Sequence, residues 1–123
     1  MISNLDHIVI VVKDLFETEL FYSSFLGSPI EVAEGTIAYA IGKTRLMLVL
    51  PEHKFAEHDR NEGGMNHLAF GVDSEEELLD VLVRLGKANI KNSGIEIDKV
   101  GGKKYVWFDD PSGTRLEFYL QNE

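Results

Sequence analysis

The residues best suited to chemistry sit at matching places in a repeat: His7 and His67 open two similar strands, and Glu117 lies in a third. The segment Thr114-Arg115-Leu116-Glu117-Phe118-Tyr119-Leu120 alternates in character, so Leu116, Phe118 and Leu120 fall on one face and Arg115, Glu117 and Tyr119 on the other. The same strand occurs earlier as Thr44-Arg45-Leu46-Met47-Leu48-Val49-Leu50, identical at four of seven positions, with Met47 standing where Glu117 stands. If the halves are related by an approximate two-fold, His7, Met47, His67 and Glu117 converge. Two imidazoles and one carboxylate form a ligand set used by non-heme Fe(II) and related Mn(II), Co(II) or Zn(II) sites, with positions left for water or substrate. The competing reading leaves the histidines hydrogen-bonded in a polar cavity and pairs Glu117 with Arg45 or Arg115.

The elements that must position these residues follow from pattern. Asp6 to Val12 is short and β-branched, which favours a strand. Asp14, with Glu17 three residues on, reads as the N-cap of a helix carrying Phe16, Leu20, Phe21, Phe25 and Leu26, ended by Gly27 to Pro29. Strands are expected at Ile30 to Ala33, Ile37 to Ile41 and Thr44 to Leu50, turning at Gly35 and Gly42-Lys43. The unit restarts at Asn66-His67-Leu68-Ala69-Phe70-Gly71-Val72, with a Ser74/Glu77 capping box, a helix through Leu78, Leu79, Leu82 and Leu85, and Asn89 as a left-handed stop. Strands near Ile95 to Val100 and Lys104 to Phe108 lead through Asp110-Pro111-Ser112-Gly113 to the Glu117 strand. The helix-packing sets are Ile8, Ile10 and Val12; Leu46, Leu48 and Leu50; Leu68, Phe70 and Val72; and Leu116, Phe118 and Leu120. His7 to Met47 spans 40 residues and His67 to Glu117 spans 50, placing an insertion of about ten residues most easily within Lys91 to Lys103.

The expected architecture is α+β, two βαβββ modules forming curved mixed sheets around a cavity: module one about 1–51, a polar connector 52–64, module two about 65–123, together one domain. Bulk properties narrow the function. The 123 residues carry 21 Asp plus Glu against 12 Lys plus Arg, a net charge of −9 that disfavours nucleic acid and membrane partners. No cysteine is present, so disulfides and thiolate chemistry are excluded. No apolar run reaches the roughly 18 residues of a membrane span, and a cytoplasmic location is expected.

Taken in order, Leu5-Asp6-His7-Ile8, Asp14-Leu15, Phe21-Tyr22, Leu26-Gly27, Asn66-His67-Leu68-Ala69-Phe70 and Asp110-Pro111-Ser112-Gly113-Thr114-Arg115-Leu116-Glu117 resemble the vicinal oxygen chelate superfamily over essentially the whole chain. That superfamily includes lactoylglutathione lyases (glyoxalases), extradiol dioxygenases, fosfomycin-resistance transferases and bleomycin-binding proteins. The resemblance implies His7, His67 and Glu117 as ligands of one divalent ion per site (Mn, Fe, Zn, Ni or Co). It also implies a small-molecule substrate whose adjacent oxygens the ion chelates as a Lewis acid, in a glyoxalase-like lyase or isomerase or a related transferase. The alternatives are an extradiol-type ring-cleaving dioxygenase and a non-catalytic drug- or metabolite-binding resistance protein. Family members often share modules across a homodimer, which would bring His7 from one subunit and His67 with Glu117 from the other. Departures from the family pattern are specific. Met47 replaces the fourth-strand glutamate of lactoylglutathione lyases, Val9 stands where fosfomycin transferases tend to have threonine, and no predicted strand supplies the further histidine of the dioxygenases. Arg45, Tyr39, Met47 and Trp107 are the candidate substrate contacts, and Tyr105 and Tyr119 the candidate catalytic residues.

Overall fold

A computed structural model describes residues 1–122. Two compact units divide at 57/58, the first Met1–Glu57 and the second His58–Glu123. Each contains one βαβββ module: β1 (His7–Val11), α1 (Leu15–Leu26), β2 (Glu31–Ala33), β3 (Thr36–Ile41) and β4 (Thr44–Val49), then β5 (Leu68–Val72), α2 (Glu75–Lys87), β6 (Glu96–Ile97), β7 (Lys104–Asp109) and β8 (Arg115–Leu120). The protein is therefore α+β, as the repeat predicts. Among the described residues no helix is long and apolar enough to cross a membrane.

The two sheets have the same topology, β1-β4-β3-β2 and β5-β8-β7-β6. In each, the first and last strands pair in parallel, because the helix crosses between them, and the hairpin strands pair antiparallel. One face of each sheet packs under its helix. In the first unit Ile10, Val12, Ile37, Tyr39, Leu46 and Leu48 are buried there, and in the second Phe70, Val106, Phe108, Leu116, Phe118 and Leu120. Period-two alternation then puts His7, Arg45 and Met47 on the opposite face of the first sheet, and Trp107, Glu117 and Tyr119 on that of the second.

Both helix starts match their sequence signals. The Asp14 side chain accepts from the Glu17 N–H at 2.8 Å and Ser74 Oγ from the Glu77 N–H at 3.1 Å, each relieving an orphan donor of the first turn. Asn89 takes φ 57°, with Ile90 N–H donating to Leu85 O, the left-handed stop the sequence predicts.

Four expectations change. Phe16 and Leu20 are 75% and 62% exposed, and the buried stripe of α1 joins the expected Phe25 to Thr18 and Tyr22. Thr18 can be buried because its hydroxyl donates to Asp14 O at 2.6 Å, and it lies on the side of the helix away from positions 16 and 20. Leu50 lies beyond the last strand residue and is exposed, outside its predicted packing set. The strand predicted to run to Val100 stops at Ile97, since the Asp98 carboxylate accepts from Val100 N–H and turns the chain. Finally, the extra length of the second unit is spread over three connections: 88–95 against 27–30, 98–103 against 34–35, and 110–114 against 42–43.

Candidate functional site

The turn before β8 fixes where the acid goes. Asp110 is buried, and its Oδ1 accepts from the Ser112 and Thr114 N–H groups at 2.9 Å, closing the hairpin with Gly113 at φ 94°. β8 then runs with Leu116, Phe118 and Leu120 locked under the helix, so Glu117 must project from the open face. His67 immediately precedes β5, the parallel neighbour of β8, and its Nε2 comes to 3.5 Å from Glu117 Oε2. The carboxylate side chain is 16% exposed and the imidazole 39%.

Hydrogen bonding assigns the proton on that imidazole. Asn66 Nδ2 donates to Arg60 O at 2.9 Å, and a carbonyl oxygen only accepts, so the amide orientation is fixed. Asn66 Oδ1 therefore faces His67 Nδ1 at 2.8 Å, and Nδ1–H is the donor. In the neutral ring Nε2 then carries a lone pair aimed at a carboxylate that is also acceptor-only. The 3.5 Å separation is long for a hydrogen bond. It matches two ligands on one ion: two donors each about 2.1 Å from a tetrahedral metal lie ~3.4 Å apart. The chemistry of the pair thus fits a divalent cation. Arg115, the competing partner for Glu117, is engaged elsewhere: its guanidinium pairs with Asp109 and stacks 3.9 Å from the centroid of Trp107.

His7 in the first unit is dressed in the same way, its Nδ1 lying 2.8 Å from Asp6 Oδ2. That hydrogen bond is the main cause holding the Asp6 carboxyl below its usual range. Arg45 is the register partner of His7 on the same face, exposed and without an ion pair among the described residues. Met47 occupies the position equivalent to Glu117, next to Val9 on the parallel neighbour. Within each unit, among the described residues, no three His, Asp or Glu side chains form a group able to hold an ion. The second unit supplies two candidate ligands and the first supplies one.

Other predicted positions separate. Tyr39 is a correction: it is buried under α1, its hydroxyl bonded to Ser23 Oγ at 2.8 Å, because its partner Leu46 belongs to the helix-packed face. Burial is the first cause that raises its pKa, and it has no access to a substrate on the open face. Trp107 is the register partner of Glu117, with Nε1–H donating to Glu96 Oε1 at 3.3 Å. Tyr119 donates to Asp98 Oδ2 at 2.7 Å, and that bond is the first cause pushing its pKa up. Tyr105, stacked on Tyr119, is raised first by desolvation and then by Glu96. Both phenol protons are thus directed at carboxylates, that of Tyr119 at Asp98 and that of Tyr105 at Glu96. Asp6 and Asn66 are the neighbours bonded to the two imidazoles, and neither stands out on residue type alone. The signal was present, since an acceptor side chain precedes the histidine at both repeat positions.

Comparison with known proteins identifies the family to which this fold belongs. The family model described as Glyoxalase/Bleomycin resistance protein/Dioxygenase superfamily matches residues 4–118. The chain is 30% identical to the Escherichia coli (strain K12) protein YaeR, covering 94% of each chain. It is 27% identical to the metallothiol transferase FosB of Lysinibacillus sphaericus (strain C3-41), over 96% of this chain and 82% of that one. The crystal structure of a glyoxalase family protein from Enterococcus faecalis superposes with a TM-score of 0.77 at 26% identity, covering 95% of this chain and 97% of the other. A whole-chain family match and a shared fold, on top of the duplicated module and the facing His67 and Glu117 donors, place the chain in the glyoxalase/bleomycin resistance protein/dioxygenase superfamily.

Proposed function

We propose that this protein is a divalent-metal-dependent enzyme acting on a small substrate with adjacent oxygens, with His7, His67 and Glu117 as the protein ligands. The observation that carries the reading is the 3.5 Å approach of His67 Nε2 to Glu117 Oε2, with Nδ1 holding the hydrogen of the neutral ring so that Nε2 turns a lone pair toward the carboxylate at a separation two ligands of one ion would have. A bound divalent ion would supply Lewis acidity toward negative charge developing on a chelated oxygen. Arg45, beside His7 and free of an ion pair among the described residues, would hold an anionic end of the substrate. Trp107 and Met47 would line the site with apolar surface, while the phenol oxygens of Tyr105 and Tyr119, whose protons go to Glu96 and Asp98, would accept hydrogen bonds from the substrate.

Met47 cannot ligate as a carboxylate or move a proton, so reactions that need a protein base at that position fit poorly. A lyase or group transfer that brings its own nucleophile fits better, and the relative named as a metallothiol transferase supports that direction. Since His7 and the His67–Glu117 pair lie on different units, we take the working form to be a homodimer able to complete the ligand set.

The test is metal analysis and activity screening of wild-type protein beside His7→Ala, His67→Ala and Glu117→Ala. One ion per site in the wild type, lost in all three variants, is expected. Wild-type protein that takes up no ion from excess Mn, Zn or Co would defeat the proposal. A small molecule bound equally well by wild type and His67→Ala, without turnover, would replace it with a sequestering role. Oxygen uptake with a catechol would shift it to ring cleavage.

A further inference from the structure

We infer that Asp6 and Asn66 are positioning residues that present Nε2 of His7 and His67 outward as ligand atoms, and that their different charges make the two imidazoles unequal ligands. This rests on the metal reading above. Each residue immediately precedes its histidine at equivalent repeat positions, and each places an oxygen 2.8 Å from Nδ1. In both cases the oxygen only accepts. Asp6 is an exposed carboxylate, ionised at neutral pH, and the Asn66 oxygen is identified by the amide nitrogen's bond to Arg60 O. So Nδ1 carries the hydrogen in both rings, and Nε2 is the atom left to bind.

The supports differ in kind. Asp6 brings a full negative charge, which makes His7 the stronger electron donor. Asn66 is neutral but anchored: Arg60 belongs to a turned segment in which the Asn61 and Glu62 N–H groups both bond to Asp59, and the His58 ring reaches Met65 O at 3.0 Å. A hydrogen-bonded connector therefore holds Asn66 against His67, while charge strengthens His7. The polar stretch between the modules thereby acquires a role in aiming a ligand.

The test titrates Co(II) into metal-free wild type, Asp6→Ala, Asp6→Asn, Asn66→Ala and Asn66→Asp, following the ligand-field absorption and the calorimetric dissociation constant. Alanine at either position should weaken Co(II) binding by about 10- to 100-fold and move the absorption band. Asp6→Asn should recover part of the loss through its retained acceptor, and Asn66→Asp, which keeps the acceptor but loses the donor to Arg60 O, should likewise recover only part of it. The melting temperature of the metal-free proteins should stay put, because Asp6 and Asn66 are exposed. Alanine variants that bind Co(II) with wild-type affinity and spectrum would overturn the positioning roles and leave the metal site standing. A wild type that binds no Co(II) would remove both.

Discussion

The two units share one blueprint on their helix-packed faces and diverge on their open ones. Leu46 and Leu48 correspond to Leu116 and Phe118, all buried beneath a helix. On the other face the histidines and Arg45/Arg115 still correspond, but their neighbours do not. Met47 is equivalent to Glu117, Val49 to Tyr119, Ala38 to Trp107, Val11 to Gly71 and Ala40 to Asp109, by strand register within each sheet. The first unit keeps an apolar open face, with Val9 and Val11 exposed, and sets on it one histidine and an arginine without an ion pair among the described residues. The second carries acids and aromatic rings that bond to one another. A duplicated module needs its core face to stay folded, because removing buried methylenes costs several kcal/mol. Its open face is under no such demand and is where chemistry can be written.

The largest effects should fall on what the units share. Leu46→Ala and Leu116→Ala should each destabilise by about 2–5 kcal/mol in denaturant unfolding, because both side chains are fully buried. A loss confined to one unit would show that the two cores are not equivalent. Next comes the difference between them: Glu117→Met, which copies the first unit's residue, should lower affinity for Mn or Zn by more than the roughly 10- to 100-fold that a supporting residue costs, with little change in melting temperature. Unchanged affinity in calorimetry would remove Glu117 from the ligand set. The helix caps are shared again, and Asp14→Ala and Ser74→Ala should each cost about 1 kcal/mol.

Smaller effects belong to the second open face alone. The Tyr119 pKa is raised, first by Asp98, so the folded form holds the phenol proton more tightly than the unfolded chain. That contribution is complete below the ordinary tyrosine range near 10 and fades as pH rises through the raised value. Tyr119→Phe should flatten this alkaline decline in pH-dependent melting, whereas Val49→Phe should not. The smallest effect is expected at Gly71, where an added Cβ would meet the Gln121 carboxamide, which bonds to Asp73. The group in the way is the far end of a flexible side chain, so Gly71→Ala should cost less than about 1 kcal/mol. The equivalent Val11 shows that the backbone there accepts a side chain.

Much of this was legible in the chain because it depends on local pattern. Alternation settled which side chains of the Glu117 strand are buried, since a strand has only two faces, and the caps at Asp14 and Ser74 announced their helices through short-range hydrogen bonds. The stripe on α1 was misread: a threonine and a tyrosine can replace apolar residues in a core once their hydroxyls find partners, and spacing does not reveal those partners. Tyr39 was misplaced for a related reason, as register against Leu46, decided by the turn at Gly42-Lys43, chooses its face. The amino-acid order by itself determined the duplication, the α+β class and the residue types at the repeat positions, because these follow from periodicity and composition. Only the tertiary structure brought His67 and Glu117 together across a parallel strand pair, tied Arg115 to Asp109, and used the Arg60 carbonyl to decide which imidazole nitrogen is free. Those outcomes turn on distances of a few ångströms between residues far apart in the chain, and no local pattern encodes them.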